Sequence, residues 1–372
     1  MPRVPWLTVF RYAALLAAVV FIAFLPRIFD GRLDAASAEF RVGQFTLVGI
    51  WFVALLGLNI LTGYNGQISL GHGAFVGLGA YVTALLSLGR PGLELYMLDP
   101  PSWLPIGDGM RPIFTIPIAA LVTGIVGAIF GIPALRLGGV SLALATLAVA
   151  VSFPIIMKRF DETTGGSGGI NLNLPTTPFG WDISTRHWLY YEAWITAGVV
   201  FLIAWLLVRG RVGRAWRSIR DGEIAAVSSG VNSALYKTLA FGVSSAFAGA
   251  AGALLAIEVA YVNPDTFPVA LSILLLASVV IGGLGSLIGA LFGALLYVFL
   301  PIYSENPPLV SWDFSNQAPA VVFGAFLIVI MLLLPGGVVG GFRRLWVFIR
   351  GTLGRRPRDQ APEPLTSGTD GD

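Results

Sequence analysis

The sequence predicts an all-α integral membrane protein, a bundle of about ten transmembrane helices with at least one broken or re-entrant helix. Three observations carry that prediction. The 372 residues are 56% hydrophobic and 12% charged with a mean hydropathy of +0.80, whereas a soluble domain is about a quarter charged. Charge-free windows long enough to cross about 30 Å of hydrocarbon as helix recur at Pro112 to Leu135, Leu137 to Met157, Thr238 to Ile257, Thr266 to Ser304 and Phe314 to Phe342. A further charge-free run, Val42 to Gly89, is broken by GYNGQISLGHGAF, Gly63 to Phe75, which brings together glycines, neutral polar residues and one of the two histidines. A β-barrel would alternate in polarity over segments of about ten residues, and these runs are continuously apolar.

In chain order, Arg3 and Arg11 precede the apolar stretch Tyr12 to Leu25. No small-residue cleavage site follows in LPRIFDGRL, so the stretch reads as a retained first span. Spans are expected at 12–25, 44–62, 66–88, 113–135, 138–157, 191–208, 238–257, 268–283, 284–300 and 318–334, with 266–304 open to reading as two helices or a re-entrant pair. An even number places both termini on one side. The alternative with N and C termini inside puts most of the 23 Lys and Arg residues on the cytoplasmic side, as the positive-inside rule requires. The chain then divides into a cytoplasmic N-terminus, 1–11, a transmembrane domain, 12–337, with a cytoplasmic loop at 209–237, and a largely disordered cytoplasmic tail, 338–372.

Small residues at four-residue spacing, Gly73 and Gly77 and then Gly285, Gly289 and Gly293, mark helix faces that a neighbouring backbone can approach closely. GGLGSLIGA, Gly282 to Ala290, interrupts the later apolar run much as GQISLGHGA interrupts the earlier one, a low-complexity match in keeping with a structural repeat. The outer loop Lys158 to Tyr191, with its TTGGSGG, is too rich in Gly and Pro for a helix and is placed to line an entrance.

Two segments carry candidate chemistry. Non-helical backbone at membrane depth is tolerated only inside protein or beside a water-filled cavity, so Asn65, Gln67, Ser69 and His72 read as uncharged hydrogen-bonding groups on a translocation path. A tight turn between two spans is the alternative at this stage. In Arg209 to Lys237, Asp221 is placed to cap a short helix, Glu223 to sit in its first turn and Gly230 to end it. So short a helix needs a support, either a groove on a cytoplasmic partner or the lipid headgroups.

Several classes are disfavoured. There is no cysteine, hence no thiolate metal site or nucleophile, and no metal or cofactor is called for. No carboxylate falls centrally in a span, as a proton-coupled carrier would need, because Glu192, Glu258 and Asp265 stand at outer ends. No Walker A pattern or HExxH occurs, so ATP-driven work needs another subunit and protease chemistry is unsupported. The basic balance has a topological use in so apolar a chain and does not point to nucleic acid.

Taken together, the motifs resemble the permease subunits of branched-chain amino acid ABC importers, the LivM type in particular. LNILTGYNGQISLGHGAFVGLGAYV is similar to that family's N-terminal signature, and GRAWRSIRDGEIAAVSSGVNSALYKTLAFGVSSAFAGAAGAL to its cytoplasmic loop and following helix. PALRLGGVSLALATLA, TGGSGGI and VIGGLGSLIGALFGALL extend the resemblance from about Gln44 to Gly337. It implies the ABC importer permease fold and a subunit in the bacterial inner membrane. The implied partners are two ABC ATPase subunits, a second homologous permease and an extracytoplasmic solute-binding protein. It matches Glu223, Ala225, Ala226 and Gly230 to the coupling helix that docks on the ATPase, with Ile224 inserted relative to the general importer pattern. It also favours the path reading of Asn65, Gln67, Ser69 and His72. A urea or short-chain amide permease fits the same signatures, and a secondary carrier or channel would need no docking helix.

Overall fold

The computed structural model describes residues 21–32, 34–88, 110–134, 137, 139–172, 183–305 and 336–341, with isolated residues between 324 and 332. The expectations for 1–11, the span 318–334 and the tail 338–372 fall wholly or largely outside these residues.

The described part is mainly helical and carries one two-stranded ladder. Helix α1 is Ala35–Leu58, continuing as π-helix through Asn59–Tyr64, and α2 is His72–Leu88. They are followed by α3 (Pro112–Ala134), α4 (Val140–Arg159), α5 (Thr185–Arg209), α6 (Arg211–Asp221) and α7 (Glu223–Ser228). The remaining helices are α8 (Ser233–Val259), α9 (Val269–Gly282) and α10 (Leu287–Glu305). Among the described residues six helices are long and apolar enough to cross a membrane, and His72–Leu88 and Leu287–Tyr303 are shorter apolar helices. The chain is a multi-pass membrane protein.

Side-chain caps fix several helix starts. Asp34 accepts from the Ser37 amide, Ser184 from the His187 amide and Asn232 from the Leu235 amide, each satisfying a first-turn donor that the helix leaves free. The Ser184 cap places the start of α5 at Thr185, ahead of the expected 191, because polar and aromatic residues form its first turns. The expected span 66–88 is shorter as helix: Gly66 has φ +77° and residues 65–71 leave the helical path before His72.

Helices α1 and α8 form the interior of the bundle, with α2, α3, α5 and α10 around them. The Ala, Gly and Ser content of α8 makes this possible: the mutual approach at Gly79 and Gly249 and at Gly252 and Val76 leaves no room for side chains. The large apolar side chains of α3, α4 and α5 point the other way, and Leu121, Ile125, Leu144, Ile155, Ile195 and Leu202 are exposed as lipid-facing residues are.

In the loop before α5, a single turn at Asp161–Thr164 precedes strand β1 (Ile170–Asn171), which pairs antiparallel with β2 (Tyr261–Val262). Ion pairs stand at this end of the bundle, Lys158 with Asp265 at 2.7 Å and Arg186 with Glu258 at 2.6 Å, and His187 Nε2 lies 3.2 Å from an Asp30 carboxylate oxygen.

A Cβ at position 252 would lie 1.8 Å from the Val76 carbonyl oxygen, whereas one at 198 meets nothing within 4 Å. Gly252→Val is therefore expected to lower stability by about 1–3 kcal/mol through overpacking, and Gly198→Ala to leave it unchanged or raised. Thermal unfolding in detergent, followed by size-exclusion monodispersity, checks the contrast.

Candidate functional site at two helix interruptions

Helix α1 loosens before it ends. Over Asn59–Tyr64 the hydrogen bonds lengthen to π spacing, with the Asn65 amide donating to the Ile60 carbonyl at 3.1 Å. Such widening recurs at functional sites. The Gln67 amide then donates to Leu61 O at 3.0 Å, and the chain turns back.

It does not make a tight turn. The His72 ring nitrogen Nε2 lies 2.9 Å from the Ala54 carbonyl oxygen, which is about 15 Å back along α1 from Tyr64 at about 1.5 Å per residue. Since a carbonyl only accepts, Nε2 carries the proton. Residues 65–71 thus travel along α1 within the bundle before α2 starts, and this segment and the first turn of α2 bond to other helices. The Leu70 amide donates to Thr146 Oγ1 of α4 and the Gly73 amide to Ser272 Oγ of α9, both at 2.9 Å.

The proposed path residues all lie here and all are buried: Asn65 at 2% exposure, Gln67 at 6%, Ser69 at 1% and His72 at 1%. Asn65 Nδ2 donates to Gln67 Oε1 at 2.5 Å, Thr62 Oγ1 to the Gln67 carbonyl at 3.1 Å and the Gly71 amide to Ser69 Oγ at 3.4 Å. Asn65 Oδ1 is buried with no hydrogen-bond partner among the described residues.

The second interruption is the Gly283–Ser286 turn between α9 and α10, and the first one grips it. Asn59 Oδ1 accepts from the Gly285 amide at 2.8 Å while Asn59 Nδ2 donates to the Ser286 carbonyl at 2.6 Å. One buried carboxamide therefore satisfies one donor and one acceptor of a turn far away in sequence. The contact needs Gly63, whose Cβ would lie 2.1 Å from Asn59 Oδ1 and 2.3 Å from the Gly285 nitrogen. Gly285 itself has φ +73°. It belongs to this turn rather than to a helix face. Gly73 stands against Ser272, Gly77 against Phe153, Gly289 against Gly282 and Gly293 against Ser278.

Helix α6 closes the site from the polar segment. Trp216 is fully buried and its indole N–H donates to the Tyr236 carbonyl at 2.8 Å, seating α6 on the start of α8. At its end Arg220 Nη1 donates to the Gly63 carbonyl at 2.7 Å. That oxygen stands at the C-terminal end of α1, where carbonyls run out of intrahelical donors and carry partial negative charge.

Helix α7 follows immediately. Asp221 does not cap it: Asp221 ends α6 and binds Arg220 at 3.0 Å, and Gly222 is the residue before α7. The Glu223 carboxylate reaches Lys237 and Ser233 of α8, and these two hydrogen bonds hold its carboxyl below the usual carboxylate range. Ala226 is buried at 4%, Ala225 is exposed, and Gly230, φ +83°, ends the segment as its amide donates to Val227 O at 2.9 Å. Ile224 and Val227 point outward at 85% and 52% exposure.

Sequence reasoning missed Asn59, Ser286, Arg220 and the whole of α6. The α6 signal was present: Val212, Ala215, Trp216 and Ile219 recur at helical spacing among arginines. The pairing of Asn59 and Arg220 with distant backbone leaves no such local mark.

Interrupted apolar helices, tied through one polar segment to a short helix with an apolar outer face, define a polytopic membrane protein of the transport-subunit kind. The chain belongs to the family described as branched-chain amino acid transport system / permease component, which residues 41–335 match. It is 32% identical to the high-affinity branched-chain amino acid transport system permease protein LivM of Escherichia coli (strain K12), covering 79% of this chain and 68% of that one. The corresponding LivM of Salmonella typhimurium is 31% identical, over 91% of this chain and 77% of its own length. The permease protein LivH of Salmonella typhimurium is 26% identical, over 86% and 96%. No solved structure matches the chain.

Asn59→Ala leaves the half-buried Ser286 carbonyl and Gly285 amide without their partner, so a loss of about 1–2 kcal/mol is expected. A lowered midpoint of thermal unfolding in detergent checks it. Glu223 gives a pH prediction. Its folded-state pKa lies below the ordinary value of 4.5, so the tie to Lys237 is complete above that value and is lost as pH falls through the depressed one. With a fluorophore on Ser228→Cys, in a chain lacking cysteine, anisotropy is expected to stay constant from about pH 8 to about pH 5 and to fall only below.

Proposed function

We propose that the chain is one of two homologous membrane subunits of an ATP-driven importer for branched-chain amino acids in the bacterial cytoplasmic membrane. The observation that carries this reading is α7: a six-residue helix, anchored by Glu223 to α8, with Ile224 and Val227 exposed beside it. So short a helix does not persist alone, and an apolar outer face on a polar segment fits a groove on a partner. The similarity to LivM and LivH, permease proteins of branched-chain amino acid transport systems, supports the solute class.

In this reading two ATPase subunits receive α7 of each permease, with Glu223, Ala225, Ala226 and Gly230 forming the coupling helix. The chain catalyses no covalent reaction, and ATP is hydrolysed by the partner. N and C termini face the cytoplasm, an orientation that the distribution of Arg and Lys favours, with about ten spans in all. A binding protein delivers solute at the opposite end, where the β1 and β2 ladder and the ion pairs stand.

The interruption at residues 65–71 is the broken helix beside the translocation path. Asn65, Gln67, Ser69 and His72 are sealed in the present conformation, and the path opens when the segment moves. Neutral polar groups suit a zwitterionic solute with an aliphatic side chain, because they hydrogen-bond it without holding it by a permanent charge. The unpartnered Asn65 Oδ1 is an acceptor available to such a solute.

The test is reconstitution with the ATPase subunits and the second permease in liposomes supplied with the binding protein and radiolabelled leucine. Uptake that requires internal ATP is expected. Ile224→Asp, a change at an 85% exposed position, is expected to leave insertion and melting temperature unchanged and to cut recovery of the ATPase subunits by about tenfold or more. Normal recovery with Ile224→Asp would remove the docking assignment.

A further inference from the structure

We infer that Arg220 is a positioning residue through which displacement of α7 reaches both helix interruptions, so that one guanidinium couples ATP hydrolysis to movement of the path. The inference rests on the reading of α7 as the ATPase-docking helix and adds the connection that follows it.

Only Asp221 and Gly222 separate Arg220 from Glu223 at the start of α7. Its guanidinium is divided between two neighbours: Nη1 donates to the Gly63 carbonyl at 2.7 Å, while Nε and Nη2 face Asp221 Oδ1 at 3.0 Å. The planar fork holds these directions relative to one another, which the single ammonium of a lysine does not. A shift of the α6 and α7 junction therefore reaches Gly63.

The two interruptions are built around this side chain. Gly66, in the left-handed region at φ +77°, places its α-carbon where a Cβ would lie 2.7 Å from Arg220 Cγ. A Cβ on Gly285 would lie 3.3 Å from Arg220 Nη1. Thus Gly63 and Gly285, one from each interruption, stand against the guanidinium and Gly66 against its aliphatic stem. From Gly63 the connection passes to Asn59, which holds the Gly285 amide and the Ser286 carbonyl. Both interruptions are non-helical and joined to neighbours by a few specific hydrogen bonds, so they are the parts of the bundle with a second arrangement available at low cost. Arg220 biases that choice from one side and a solute at residues 65–71 from the other, as energetic coupling between sites requires.

The experiment measures leucine transported per ATP hydrolysed by the full complex in liposomes, together with recovery of ATPase subunits. Arg220→Ala is expected to recover the ATPase subunits as the wild type does, while transport per ATP falls by about tenfold or more. Arg220→Lys is expected to fall in between. Asn59→Ala is expected to lower the ratio too, and the double variant Arg220→Ala, Asn59→Ala to be no worse than the poorer single one, because both break one connection. Should Arg220→Ala fail to assemble, Arg220→Gln, which keeps donors without charge, decides by the same ratio. An unchanged ratio in the Arg220 variants, or losses that multiply in the double variant, overturns the inference while leaving α7 docking intact. A wild-type chain that recruits no ATPase subunit overturns the docking reading and this inference with it.

Discussion

A backbone that leaves the helix inside an apolar bundle must find hydrogen-bond partners in the protein, since an unpaired amide in hydrocarbon costs several kcal/mol. Here the partners are few and identifiable. Asn59 serves the turn before α10, Thr146 the segment before α2, Ser272 the first turn of α2, and Arg220 takes the carbonyl at the end of α1. The glycines of GYNGQISLGHGAF make these contacts possible, because a side chain at Gly63 would occupy the position of the Asn59 carboxamide. The interruption, the closeness of α9 and α10 to α1, and the seating of α6 all depend on this set.

Around that centre the bundle has two kinds of surface. Small residues on α2, α3 and α8 bring backbones together where burial in lipid provides little driving force between helices, while large aliphatic side chains on α3, α4 and α5 face outward. The rigid part and the adjustable part are thus separated. Tightly interlocked helices hold the frame, and two interruptions secured by a few specific hydrogen bonds supply the segments that move in the proposed transport cycle.

The multi-pass helical class was legible from composition alone, and most span positions from charge-free windows, because burial in hydrocarbon excludes charge over the length of a helix. The break near Gly63 was legible as a cluster of Gly and polar residues, but its extent was not: His72 begins α2 and Gln67 does not, since the intervening backbone bonds to α1, to α4 and to the Ser69 side chain rather than along a helix. Asp221 has the residue type of a cap, yet the adjacent Arg220 claims its carboxylate. Glu223 was legible as a first-turn acid and its partners were not, because Lys237 and Ser233 lie on the next helix. Asn59 stands in a run of apolar residues with no local sign that its partner is Gly285. Contacts of that range are decided by packing, which a one-dimensional pattern does not carry.

Hydrogen–deuterium exchange of the chain in lipid nanodiscs, resolved to the peptides that contain residues 65–73 and 283–287, tests the central claim most directly. The account predicts that the Gln67, Leu70, Gly73 and Gly285 amides are protected, exchanging well below the rate of an open, solvated turn, since each donates to a partner within the bundle. Exchange at the rate of an open, solvated turn at these positions would contradict it, and would return GYNGQISLGHGAF to the role of a simple connection between two spans.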